Sequence, residues 1–139
     1  HDPVHIKKML KLINVKKFEL ISTNRFLKKN SLNDWSFWRI ILTNLRHILI
    51  KNILNISFDS SGAFRCYDVK KIRLKDILKA KDDSYSFFWE SMYFLSKKYK
   101  IAEIPISLPG RVSGSSKMRI KDIISALYYL FVIFFRHRF

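Results

Sequence analysis

The chain reads as an α/β protein, because segments with helical spacing of apolar residues alternate with short strand-like runs along its 139 residues. Two runs carry the strand part of that expectation: residues 18–22 and the alternating Ile101-Ala-Glu-Ile-Pro-Ile-Ser-Leu. A hydrophobic content of 48% is ample for one core in a chain of this length, so one domain or part of one is expected.

Taken in order, Asp2-Pro3 opens a helix, with Asp accepting from the first turn and Pro at the first helical position. Ile6, Met9, Leu10 and Ile13 then recur at i, i+3, i+4 and i+7, which puts them on one face. The strand at 18–22 ends beside Arg25, and 24–34 is polar and aperiodic, a loop. A longer helix is predicted over 35–56, with an apolar stripe of Trp35, Trp38, Leu42, Leu45, Leu49, Ile53 and Ile56. Arg39, Thr43, Arg46 and His47 fall on a different stripe, three and four residues apart, and together could hold a phosphate.

From Asp59 a Ser/Gly turn leads into a strand ending at Tyr67, and 69–79 reads as a short amphipathic helix with Ile72, Ile77 and Leu78 inward. Asp82-Asp83-Ser84 gives a turn and an N-cap for a helix over 85–98, with Tyr85, Phe88, Met92 and Leu95 as its buried stripe. Glu90 lies in that aromatic-rich helix, and a carboxylate facing the core needs a partner, for which Arg65 is the expected choice. Cys66 is the one cysteine, which excludes an internal disulfide or a multi-thiolate metal site and marks it as a small buried side chain.

The segment Arg111-Val-Ser-Gly-Ser-Ser-Lys117-Met follows the last strand and precedes a helix beginning near Met118. Two cations bracket a Gly/Ser loop at a strand-to-helix junction, where backbone N–H groups point outward to meet an anion. Residues 123–135 are uncharged and mainly apolar, followed by Arg136-His137-Arg138. A helix of that length spans roughly 20 Å, short of the ~30 Å hydrocarbon core, so it would lie in the membrane interface rather than cross alone. Its aromatic load of Tyr128, Tyr129, Phe131, Phe134 and Phe135 favours membrane contact over burial. A formal net charge of +16 predicts attraction to polyanions, either anionic lipid or nucleic acid. Charge alone therefore also fits a non-catalytic basic module that binds a membrane surface or nucleic acid.

Several spaced blocks in this order, Gly62-Ala-Phe-Arg-Cys-Tyr67, Tyr85-Ser-Phe-Phe-Trp-Glu90, Tyr99-Lys-Ile-Ala-Glu-Ile-Pro-Ile and Arg111 to Lys117, resemble the C-terminal half of the dolichol-phosphate (polyprenol-phosphate) mannosyltransferases of glycosyltransferase family 2. Leu20-Ile-Ser-Thr-Asn-Arg25-Phe and Trp35-Ser-Phe-Trp-Arg39 are similar to that family's strand ending in Ser-Arg-Tyr and its Trp-x-x-x-Arg acceptor helix. The opening His1-Asp-Pro looks like the segment that follows the family's Asp-x-Asp metal motif, so the resemblance covers nearly the whole chain. Two stretches depart from the family pattern, Gly62-Ala63-Phe64-Arg65 standing for Ser-Gly-Phe-Arg and Arg25-Phe26 for Arg-Tyr.

The resemblance implies the C-terminal portion of a GT-A (Rossmann-like) domain over 1–118, lacking the N-terminal nucleotide-binding half, and an amphipathic or membrane-interface helix over 119–139. It implies transfer of a hexosyl unit, mannose from GDP-mannose being the expected donor, onto a polyprenyl or dolichyl phosphate at the cytoplasmic face of a membrane, with no role for nucleic acid. A related glucosyl or undecaprenyl-phosphate sugar transferase is the neighbouring alternative. Arg25, Arg39 and the hydroxyl of Thr43 would surround the acceptor phosphate, and Arg111 and Lys117 would sit on the loop over the reacting phosphates. Mg²⁺ or Mn²⁺ would be held by aspartates outside this chain, since no Asp-x-Asp occurs in it, and the piece alone is expected to be inactive.

Overall fold

A computed structural model describes residues 2–83, 85–108 and 120–138. Eight elements follow in order: α1 (Val4–Asn14), β1 (Leu20–Asn24), α2 (Phe37–Leu54), β2 (Arg65–Tyr67), α3 (Leu74–Ile77), α4 (Ser86–Ser96), β3 (Ile101–Pro105) and α5 (Ile120–Arg138). The protein is mixed α/β, and its sheet has three strands in the order β2-β1-β3. β1 runs antiparallel to β2, with Leu20 opposite Tyr67 and Ser22 opposite Arg65. It runs parallel to β3, with Leu20 opposite Ile101 and Asn24 opposite Pro105.

All five residues of β1 are buried, so both faces of this central strand are covered. Alternation of side chains sends Leu20 to one side and Ile21 to the other. Leu20 joins a core with Ile50 and Leu54 of α2, Trp89, Met92 and Leu95 of α4, and Leu130 and Ile133 of α5. Ile21 joins Met9 and Ile13 of α1 and Ile104 of β3. The sheet is thus a middle layer, with α1 on one side and α2, α4 and α5 on the other.

Local chemistry sets the boundaries. The Asp2 carboxylate accepts the Val4 N–H at 2.9 Å, supplying the start expected for α1. Asn55 closes α2 in the left-handed region at φ 55°, where Asn is among the tolerated residues. Asp82 Oδ2 accepts the Ser86 N–H at 3.1 Å and so caps α4. The Asp76 carboxylate ties α3 to the end of α4, accepting from the Tyr99 hydroxyl and the Lys98 ammonium at 2.6 Å each. Hydrogen bonds from Lys98 and Tyr99 hold that carboxyl well below the usual carboxylate range.

Four sequence expectations are corrected. The helix predicted over 69–79 shrinks to the single turn of α3, with Ile72 buried ahead of it and Leu78 exposed rather than inward. Tyr85 is exposed, and the buried face of α4 includes Trp89 and Tyr93 beside Met92 and Leu95. Glu90 is buried, but its partner is not Arg65: Oε2 accepts the backbone N–H groups of Lys81 and Asp82 at 2.8 and 3.1 Å. Arg65 instead donates to the carbonyls of Ser60 and Phe88 and to the Ser91 hydroxyl. The fourth correction concerns α2, whose inward face is Thr43, Ile50 and Leu54, while Trp38, Leu42 and Leu45 of the predicted stripe face outward. Cys66 is half-buried on β2, and burial followed by the Asp68 charge pushes its thiol up.

Candidate anion-binding site

The parallel pair β1 and β3 ends with Asn24 and Glu103 close together, and the chain leaves β1 through Arg25. Arg25 is buried, and a buried guanidinium needs a counter-charge. Asp59, brought from the segment after α2, supplies it: one carboxylate oxygen accepts Arg25 Nε at 2.8 Å and the Arg25 backbone N–H at 3.2 Å. The other oxygen accepts the Ser61 N–H and hydroxyl at 3.3 and 3.0 Å, folding residues 59–61 into an Asp-headed turn. Gly62 follows, and the fit is close enough that a Cβ there would lie 3.2 Å from the Thr23 carbonyl oxygen. A glycine therefore lets the turn press against the end of β1.

Glu103 completes the support. One of its oxygens accepts the Asp59 N–H at 2.6 Å and the other accepts the Asn24 amide at 2.8 Å. Burial pushes the Glu103 carboxyl above its ordinary value, and the Asp59 charge adds to the rise. Asn24 in turn accepts the Phe26 N–H at 2.7 Å, and the Ser31 hydroxyl donates to the Arg25 carbonyl, so the backbone on both sides of Arg25 is tied down. This network sets where the Arg25 guanidinium sits.

The ring of Trp35 is the common platform. The Arg39 guanidinium carbon stands 3.5 Å from its centroid and that of Arg25 6.0 Å, so both cations are within cation–π range of one ring. Thr43 is buried one turn after Arg39 on α2, as the i+4 spacing requires. One further turn along, Arg46 and His47 come within electrostatic reach of Arg25 and Asp59. His47 stacks on Phe26 with ring centroids 4.1 Å apart and planes inclined by 23°.

The charges of the cluster act on one another. Burial lowers the Arg46 pKa first, and the Arg25 charge lowers it further, with Asp59 opposing. His47 is held below its ordinary 6.5, by burial and then by Lys51, Arg25 and Arg46 against the pull of Asp59. The Arg25 charge that acts on Arg46 would be offset by an added anion, and guanidinium groups suit one with several oxygens because each can donate two bonds in a plane. A phosphate ester meets that need, and the neutral His47 imidazole would leave the charge of the site to the arginines.

Of the residues singled out in the sequence, Arg25 and Arg39 meet at Trp35 and Thr43 is buried one turn further along α2, whereas Arg111 and Lys117 lie outside the described residues. Asp59, Asn24 and Glu103 were missed as members of the site. A signal for Asp59 existed in Asp59-Ser-Ser-Gly62, a turn-forming string, but nothing local connects it to Arg25, 34 residues earlier. Both carboxylates of the site are already engaged by Arg25, Ser61, Asn24 and the Asp59 N–H, and among the described residues no group of three or more His, Cys, Asp or Glu could hold a metal ion. These residues supply no ligand set for the divalent cation the resemblance implies. No protein-family model and no solved structure matches the chain.

Proposed function

We propose that this chain is the acceptor-side part of a glycosyltransferase that moves a hexosyl unit, with mannose from GDP-mannose as the expected donor, onto a polyprenyl or dolichyl phosphate at the cytoplasmic face of a membrane. The observation that carries it is the meeting of Arg25 and Arg39 at the Trp35 ring, from segments that are separate in sequence, with Thr43 one turn away. A mixed sheet with helices on both sides is compatible with a portion of a GT-A domain.

In this proposal the residues bind and orient; they do not act as bases. A phosphate monoester loses its second proton near pH ~6 and is already a nucleophile at neutral pH, so positioning and charge neutralisation are what it needs. Arg39 and the amino groups of Arg25 would grip its oxygens and Thr43 would donate its hydroxyl. Asp59 and Glu103 would act through Arg25 by fixing its direction. The resemblance alone assigns Arg111 and Lys117 to a loop over the reacting phosphates.

Farnesyl phosphate, a short soluble analogue of the acceptor, tests the assignment by calorimetric titration, with farnesol as the uncharged control. Loss of a charge-assisted hydrogen bond of about 1.5–3 kcal/mol predicts that Arg39→Ala weakens binding roughly 10- to 150-fold. Equal affinity for farnesol and farnesyl phosphate, or an Arg39→Ala variant that binds as the parent does, would remove the acceptor site. In the complete enzyme the same substitution should lower sugar transfer onto polyprenyl phosphate by a comparable factor.

A further inference from the structure

The three strands deliver basic flanks to one end of the sheet. Lys16-Lys17 lead into β1 and Lys97, Lys98 and Lys100 into β3, while Lys70-Lys71 follow β2, which runs the other way. Backbone bonds hold these ends together: the Glu19 N–H donates to the Lys100 carbonyl at 2.8 Å and the Asp68 N–H to the Glu19 carbonyl at 2.9 Å. All of these lysines are exposed.

The acids at this end are already engaged. Glu19 accepts the Lys100 N–H at 2.8 Å, and Asp68 accepts the Lys70 N–H at 3.1 Å and lies 3.6 Å from the Lys71 ammonium. Asp76 is buried and shared by three cations, Arg73 at 3.2 Å, Lys79 at 3.5 Å and Lys98 at 2.6 Å, whose side chains are 56%, 55% and 39% exposed. One carboxylate thus anchors three cations without neutralising them. Anchored side chains lose less freedom when a ligand arrives, so the cluster is prepared for a polyanion in a way that freely solvated lysines are not.

Neighbouring residues choose among polyanions. Val69, Leu74 and Leu78 are 85%, 67% and 65% exposed and stand in sequence among Lys70, Arg73 and Lys79, which makes the surface both apolar and basic. Phe18, Tyr67 and Tyr99 at this end are half-buried or buried, so these rings offer nucleic-acid bases no open face to stack on. α3 is a single turn, too short to present the apolar row with which a helix enters a bilayer.

We infer that the basic end of the sheet, built on the Asp76 cluster, is a docking surface for an acidic polypeptide segment in which carboxylates alternate with apolar side chains. It is separate from the function proposed above. Leu20 lies five strand steps from Arg25, about 17 Å, so a partner docked here leaves Arg25 and Arg39 open.

Fluorescence anisotropy of a labelled Glu-Glu-Leu repeat peptide about twelve residues long reads the binding, beside a Gln-Gln-Leu peptide and single-stranded DNA of similar length. The Glu peptide should bind at least tenfold more tightly than either, weaken severalfold as NaCl rises from about 50 to about 300 mM, and resist displacement by phosphatidylglycerol vesicles. Lys70 and Lys100 meet Asp68 and Glu19 through backbone N–H groups, so Lys70→Glu with Lys100→Glu spares those bonds. That pair should weaken the peptide roughly tenfold while the circular dichroism spectrum and farnesyl phosphate affinity stay as in the parent. Lys28→Glu with Lys29→Glu, the same charge change in the loop after β1 at the opposite end, should cost less than about twofold. Equal losses from the two pairs would reduce the binding to net charge and overturn the inference. So would parent-like peptide affinity in Lys70→Glu with Lys100→Glu, equal affinity for the Gln peptide, tighter binding of the DNA, or displacement by the vesicles.

Discussion

Replacing Asp59 by Asn removes a charge and turns one of its two acceptor oxygens into a donor, in the one place where Arg25 depends on them. The pair is deeply enclosed, with side chains 9% and 1% exposed for Arg25 and Asp59, so solvent screens it little. If the amide oxygen stays with Ser61, the amide nitrogen faces Arg25, and bonds now 2.8 and 3.2 Å long are lost. The guanidinium bond at about 2 kcal/mol and the backbone N–H bond at about 1 kcal/mol set the scale at about 3 kcal/mol. Breaking a buried ion pair by removing one partner costs a similar ~3–5 kcal/mol. With a urea m-value of about 2 kcal/mol/M, the unfolding midpoint should fall by roughly 1.5 M. Equilibrium denaturation followed by far-UV circular dichroism measures it, and a cycle with Arg25→Met isolates the pair, whose coupling should reach about 2 kcal/mol. An Asp59→Asn loss under about 1 kcal/mol, or a coupling near zero, refutes the idea that this ion pair holds Arg25 in place.

Two further outcomes follow from side chains elsewhere. Because the Glu103 carboxyl is raised above its ordinary 4.5, the folded chain binds that proton more tightly than the unfolded chain; stability is therefore withdrawn as pH climbs from about 4.5 through the raised value. Glu103→Gln should flatten that part of the curve of urea midpoint against pH, and an unchanged slope would show that Glu103 does not control it. Met92 is fully buried between α4 and the sheet, so Met92→Ala should cost about 3 kcal/mol through lost transfer energy and the space left behind, read as a drop in thermal or urea midpoint.

How much of this was legible in the sequence depends on distance along the chain. Asp2 as the cap of α1 and the alternation that became β3 were readable because their physics is complete within a few residues. The clustering of Arg39, Thr43, Arg46 and His47 was readable for the same reason, since helical spacing fixes which side chains share a stripe. Which stripe of α2 faces the core was not, because the helix is apolar on two sides and only the placement of α4 and α5 chooses between them. Glu90 illustrates a different limit: charge pairing suggested Arg65, but two backbone N–H groups at the turn before α4 were nearer acceptor-seeking partners. The Asp59–Glu103 contact spans 44 residues and joins a loop to a strand, and no local pattern could announce it.

The sheet order has a kinetic consequence. β1 is synthesised well before its parallel neighbour, which is not available until Ile101, and β2 offers only three residues of antiparallel ladder in the meantime. Ring closure over so long an interval is entropically slow, so completion of the ladder belongs to a late step in folding. Until then Leu20 and Ile21, both fully buried in the finished molecule, stay open to mispairing with other copies, and nascent chains halted before β3 should be the ones that aggregate.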